Sequence, residues 1–379
     1  MSASSPAARS GRPAVRDDLS GVEPYGAPQL DVPVRLNTNE TPFPPPEEFL
    51  EELGQRVRSL DLNRYPDRDA LELRARLAAR EALDPSQVWV ANGSNEVLMQ
   101  LLQAYGGVGR SALLFKPGYS MNVDLCRTTQ TSVRTIELPD DGLLTSDIIS
   151  RDVASAVIDE KPAITFLANP NNPTGALVDH ATVRALHDTV GGLLVVDEAY
   201  VEFAGPDASV RPLLDELPRL VVSRTFSKAF RLAGLRLGYL LGPASLVEDL
   251  LRVRLPYHLD AVTQLAGLIA LEQEDAFLGH RQRTVDERER VRSALERMDG
   301  VAVLPSAANF LLLHTDRTDV FARLLDHGVL VRDLSSAVGR PGTWRVTVGT
   351  PGENDRFLTA LADVLVDDAT SDRPDAGQE

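Results

Sequence analysis

Lysine is almost absent from this sequence. The 379-residue chain holds 36 arginines but three lysines, Lys116, Lys161 and Lys228, so positive charge alone is written as arginine. Histidine is also scarce: six scattered copies show no H-E-x-x-H or paired Cys/His spacing, and no structural metal is expected. The single Cys126 excludes a disulfide within the chain and suits a reducing compartment. No run approaches the roughly 18 apolar residues of a membrane span. Residues 1–18, "MSASSPAARSGRPAVRDD", lack the apolar stretch of a signal peptide. Basic charge is in deficit, with a net charge of −16, which disfavours nucleic acid and anionic membranes as general partners. A cytoplasmic protein is expected.

What is present is enough for a large core. Hydrophobic residues make up 43% of a length that suits two domains. The runs "VWV" (88–90), "SALLF" (111–115), "AITFLA" (163–168), "GLLVVD" (192–197), "LVVSR" (220–224) and "GYLLG" (238–242) read as buried strands. Helical patterns alternate with them, as at 95–105, so the fold class is α/β. Residues 244–298 read as largely helical, and the charges from position 281 onward as a solvated helix face. Strands return at "VLVRD" (329–333) and "TWRVTVG" (343–349), implying a second, smaller α/β unit. The tails 1–18 and 367–379 are polar and expected to be disordered.

Ligands of open α/β sheets sit beyond the carboxyl ends of the strands. Gly93, Ser94 and Asn95 follow one strand and open a helix, whose free amides suit a phosphate, although Ser and Asn are also ordinary caps. Tyr119 follows the next strand, and taken alone it is a core or rim aromatic. "NPNNPTG" (169–175) is a turn unusually rich in asparagine. Asp197, Glu198 and Tyr200 close a fully apolar strand, where burying an acid is costly unless something cationic meets it. Thr225, Ser227, Lys228 and, eight residues further on, Arg236 follow the last.

A lysine amine that condenses with an aldehyde, an acid that keeps a pyridine nitrogen protonated, and a phosphate cup are together the needs of pyridoxal phosphate. Arginine cannot take the place of Lys228, because it does not lose its proton near neutrality.

The motifs "NPNNPTG", "VVDEAYVEF" and "TFSKAFRLAGLRLGY" resemble those of the fold-type I aminotransferases. More narrowly, "VRLNTNETPF", "NRYPD", "ANGSNE", "PSAANFLLL" and "WRVTVGTPGEN" resemble the histidinol-phosphate aminotransferase family in its actinobacterial form, from Asp17 to Leu365. The resemblance implies a large domain (51–285) with a mostly parallel seven-stranded sheet, a small C-terminal domain (286–366), and an N-terminal segment (19–50) shared between the small domain and dimer contacts. It implies that Gly93, Ser94, Thr225, Ser227 and Arg236 hold the cofactor phosphate, with Asn95 behind them. Tyr119 would stack on the ring, Asn172 and Tyr200 would bond its 3-hydroxyl, and Asp197 would take its nitrogen; Lys228, Asp197 and Tyr200 would be the catalytic set. Tyr65 would reach the cofactor phosphate of a neighbouring subunit in a homodimer. Tyr25, Asn39, Asn309, Arg332 and Arg345 match positions on the substrate side.

The implied reaction is transamination between histidinol phosphate and 2-oxoglutarate in histidine biosynthesis. Three departures stand out: Thr41 for the family's frequent Asn, Pro44 for Gly, and Asn95 for Asp. An aromatic amino-acid aminotransferase is the nearest alternative, and a phosphothreonine-type decarboxylase of the same fold is third. A non-catalytic regulator would need a fused winged-helix reader, for which the residues before Asp17 leave no room. A nicotinamide-binding protein is disfavoured, since no G-x-G-x-x-G follows a strand.

Overall fold

The computed structural model of the chain describes residues 13–24 and 26–366. A short strand, β1 (Val34–Arg35), precedes a seven-stranded sheet made of β2 (Val88–Ala91), β3 (Ser111–Lys116), β4 (Ser132–Glu137), β5 (Ile164–Ala168), β6 (Leu193–Asp197), β7 (Leu220–Thr225) and β8 (Gly238–Leu241). Their order is β2-β8-β7-β6-β5-β3-β4. Only β8 runs against its neighbours; the pairs β3–β4, β3–β5, β5–β6 and β6–β7 are parallel. The expected mostly parallel α/β sheet is therefore present.

Its strands read as continuous apolar runs because both faces are covered. In β6, Leu194 and Val196 enter one core and Val195 the other, and in β2 Val88 and Val90 oppose Trp89 and Ala91. Such alternation follows from the period of two along a strand. The strand β4, "SVRTIE", was not among the expected runs. It lies at the sheet edge with only Ile136 buried, so it carries no apolar run to detect.

The second unit is an antiparallel sheet of β9 (Val301–Val303), β10 (Phe310–Thr315), β12 (Arg332–Asp333) and β13 (Thr343–Thr347), in the order β12-β13-β10-β9. The expected single strand at 329–333 is split. Val329–Leu330 (β11) pairs in parallel with β1, while Arg332 and Asp333 turn to join β13. Val34 and Leu36 pack in one core with Leu311, Leu313, Trp344, Val346 and Phe357, so the N-terminal segment shares the interior of the C-terminal unit.

In chain order between the two sheets, helices occupy Ala244–Leu250, Ala261–Glu272, Glu274–Leu278 and Arg281–Leu295, as the pattern over 244–298 implied. The charged helix Arg281–Leu295 does not expose every charge. Arg288 is buried and donates to Ala308 O at 2.9 Å, tying the helix to the small unit.

Candidate active site

The carboxyl ends of β5, β6 and β7 lie side by side, with Ala168 paired to Asp197 and Asp197 to Ser223. The small sheet faces this edge across a cleft of about 370 Å³ to which both Arg332 and Arg345 contribute. That volume suits a small ligand or cofactor.

Lys228 sits in the turn after β7, anchored on either side by the fully buried Phe226, Ala229 and Phe230. Its amine faces the cleft, donates to Thr38 O at 3.0 Å and lies 5.7 Å over the Tyr200 ring. Burial, reinforced by the charges of Arg345 and Arg236 and opposed by Glu40 and Asp197, lowers its pKa to about 7. An amine that is half neutral at physiological pH can act as a nucleophile or a base.

Asp197 closes β6 at the cleft floor. Burial pushes its carboxyl up to about 6, against the Ala199 N–H that donates to it at 3.2 Å; Glu198 adds to the rise and Lys228 opposes it. A cation in the cleft would stabilise the carboxylate. Glu198 faces the other way, as the next residue of an extended chain must. It is fully buried, accepts from Arg224 Nε at 2.9 Å and from Ser209 Oγ at 2.9 Å, while Arg224 Nη1 reaches Glu81 at 2.8 Å. Of the two adjacent acids, one belongs to the site and one to an ion-pair cluster beneath it.

At one end of the cleft the donors converge as an anion requires. The helix Ser94–Tyr105 begins there with no side chain capping its first turn. Gly93 has φ +80°, and a Cβ on it would stand 2.7 Å from Arg236 Nη2. Gly238 is equally constrained: its Cβ would meet Ser94 N at 2.2 Å. Arg236 donates to Ser227 Oγ at 3.2 Å, and Ser227 N–H to Thr225 Oγ1 at 3.1 Å. A helix N-terminus, three hydroxyls and a guanidinium match a phosphate dianion. With the lysine and the buried acid, these residues fit a phosphorylated pyridine aldehyde.

The walls are linked by hydrogen bonds. Tyr119 OH donates to Asn95 Oδ1 at 3.1 Å, so Asn95 serves as the acceptor that orients the phenol. Tyr200 OH accepts from Asn39 at 3.0 Å and from Asn172 at 3.4 Å. Arg345 donates to Asn172 Oδ1 at 2.7 Å and to Asn37 O at 3.0 Å, and Arg332 to Gly26 O at 3.3 Å.

The model of the family described as aminotransferase class I and II matches residues 32–361. The chain belongs to that family. It is 48% identical over 362 residues to histidinol-phosphate aminotransferase of Mycolicibacterium smegmatis, covering 92% of this chain and 93% of that one. Among solved structures, it resembles histidinol-phosphate aminotransferase of Sinorhizobium meliloti in complex with pyridoxal-5'-phosphate, with a TM-score of 0.80 and 25% identity over 89% of this chain and 92% of that one. L-threonine-O-3-phosphate decarboxylase of Porphyromonas gingivalis has a TM-score of 0.77 and 25% identity, over 88% of this chain and 99% of that one.

Not every expected residue of this aminotransferase lines the cleft. Tyr65 stands outside it, 79% exposed and stacked on Tyr257 with ring centroids 4.4 Å apart. Asn309 lies a layer behind the wall, buried, and donates to Asn39 O at 3.2 Å; its place here is to hold Asn39. Tyr25 lies outside the described residues. Conversely, Thr38 and Glu40 line the cleft without having been singled out. Thr38 acts through its carbonyl, which no side-chain pattern announces. Glu40 could have been found from its place within "NTNET".

Proposed function

We propose that this aminotransferase uses pyridoxal phosphate to move an amino group between L-histidinol phosphate and 2-oxoglutarate, giving imidazole-acetol phosphate and L-glutamate in histidine biosynthesis. The observation that carries the reading is the placement of Lys228 and Asp197 in one cleft, with an anion cup at one end and Arg332 and Arg345 on the facing sheet. When bound, the cofactor supplies an aldehyde that accepts amines and a protonated ring that draws electrons from the attached carbon.

In this reading Gly93, Ser94, Thr225, Ser227 and Arg236 hold the cofactor phosphate. Asp197 holds a proton on the ring nitrogen, since a buried carboxylate favours the cation beside it. Tyr119, oriented by Asn95, would hold the ring together with Asn172 and Tyr200. Lys228 Nζ would hold the cofactor through its aldehyde. When neutral, Lys228 Nζ would serve as the base that takes the proton from the substrate carbon that bears nitrogen. Arg332 and Arg345 take the phosphate of histidinol phosphate or a carboxylate of glutamate, because a guanidinium fork accepts either in paired hydrogen bonds. Tyr25 and Asn39 complete the substrate side, with Asn309 supporting Asn39.

The same proposal makes the enzyme a cytoplasmic homodimer in which Tyr65 of the partner subunit completes each cofactor phosphate site. The division into a large domain (51–285), a small domain (286–366) and a shared segment (19–50) belongs to it too. Among the described residues no helix is long and apolar enough to cross a membrane.

Borohydride reduction followed by peptide mapping should place the cofactor on Lys228; label on Lys116 or Lys161 would overturn the assignment. Single-turnover half-reactions with histidinol phosphate, glutamate and phenylalanine, followed by cofactor absorbance, then decide the substrate. Preference for phenylalanine over histidinol phosphate in kcat/KM would remove the named substrate and leave the aminotransferase class.

A further inference from the structure

Thr41, which replaces the family's frequent Asn, makes a contact that the roles above do not use. Its hydroxyl donates to the backbone carbonyl of Lys228 at 2.7 Å, beside the Arg231 N–H that reaches the same oxygen at 3.0 Å. Lys228 lies in a turn outside every strand and helix, so no ladder fixes its backbone. Three residues before Thr41, Thr38 O accepts from Lys228 Nζ at 3.0 Å. One short segment therefore grips the lysine at both its backbone and its amine.

That segment is tied to the small unit by hydrogen bonds at its near end. Leu36 N–H donates to Leu330 O at 2.8 Å, Thr347 N–H to Leu36 O at 2.9 Å, and Asn39 N–H to Thr347 Oγ1 at 2.9 Å. Arg345, on the cleft wall, donates to Asn37 O at 3.0 Å. The guanidinium that faces the substrate's anion is thus joined to the reactive lysine through residues 37–41. The side chain at position 41 is well suited to hold the far end. A β-branched residue has few χ1 choices, and Pro42 confines residue 41 to extended backbone.

We propose that Thr41 is a positioning residue for Lys228. Its hydroxyl fixes the lysine backbone so that the amine stays at the cleft within reach of Thr38 O, and it transmits the position of the small sheet to that amine. The proposal rests on the cofactor reading above.

Thr41→Val keeps the shape and removes the donor, Thr41→Ser keeps the donor, and Thr41→Ala serves as a second donor-free variant should valine disturb folding. In the holoenzyme, Thr41→Val should move the pH midpoint of the cofactor absorbance by about half a unit or more, the size expected for one hydrogen bond. It should lower the single-turnover rate with glutamate about tenfold while KM stays within about twofold. Thr41→Ser should retain both properties. A valine variant that titrates and turns over as the wild type does would overturn the proposal, as would equal losses in the serine and valine variants, which would mark packing rather than the hydrogen bond. Wild-type protein that carries no cofactor on Lys228 after borohydride would instead overturn the reading beneath it.

Discussion

Arg332 and Arg345 stand directly opposite one another on the antiparallel strands β12 and β13, with both side chains on the cleft. Like charges in register across a sheet repel. Arg345 donates to Asn172 Oδ1 and Asn37 O, and Arg332 to Gly26 O, so each guanidinium is held at the cleft. An anion between the guanidinium groups converts the repulsion into binding. In the cofactor-loaded enzyme, whose cup is already filled, inorganic phosphate at low salt should therefore raise the Tm of the wild type and not that of Arg345→Ala. The same substitution should cut kcat/KM about 10- to 100-fold in both half-reactions, the cost of a hydrogen bond to a charged group. Loss in neither half-reaction would make the pair structural.

The two titrating groups of the cleft give opposite pH signatures. The Lys228 amine falls from its ordinary 10.5 to about 7, so between those values the unfolded chain holds a proton that the folded chain has released. Stability from this group is complete above the unfolded value and lost as pH falls through about 7. Cofactor-free Lys228→Met should accordingly be more stable than cofactor-free wild type at pH 6, with the gap closing in alkali. Capture of the cofactor, trapped by borohydride, should rise with pH and reach half its maximum near 7. A midpoint above pH 9 would show that the amine is not held neutral.

Asp197 runs the other way. Its folded pKa of about 6 lies above the ordinary 3.8, so its contribution is full below the unfolded value and lost as pH rises through about 6. Asp197→Asn should stabilise the cofactor-free protein above pH 6 while slowing proton abstraction by orders of magnitude in the holoenzyme. A rate loss smaller than about tenfold, roughly 1.4 kcal/mol, would make Asp197 a structural acid.

Gly93→Ala should weaken cofactor binding about 10- to 100-fold, because the new Cβ displaces the Arg236 guanidinium from the cup. The positive φ adds strain at the same place. Equilibrium dialysis checks the affinity, and circular dichroism should show the fold unchanged.

Arg224→Met leaves Glu81 and Glu198 buried without their shared cation. A loss of about 3–5 kcal/mol of stability is expected, the usual cost of breaking a buried pair from one side. Urea unfolding measures it; a change below 1 kcal/mol, within the range of exposed pairs, would show that the cluster tolerates the loss.

The apolar runs of β2, β3 and β5–β8 were legible because strands covered on both faces must be hydrophobic throughout, and Lys228 was legible because lysine is scarce in a chain that writes most of its positive charge as arginine. Asp197 was legible as an acid at the end of such a run. The sequence named Asp197 for the site, but why Glu198 turns away was not legible: which face each takes depends on the β6 register and on Arg224 of the neighbouring strand. Nor could it find β4, whose outward residues carry no periodic signal, or cut 329–333 between two sheets, since both halves look equally like strand. Arg332 and Arg345 were two separate positions until antiparallel pairing set them face to face. Thr41 and Thr38 meet Lys228 across nearly 190 positions, and half of that grip is a backbone carbonyl. Composition and local pattern determine which residues must be inside and which chemistry the chain can perform. Long-range pairing decides which of those residues meet, because a hydrogen bond or a shared charge depends on distance in space and not on separation in sequence.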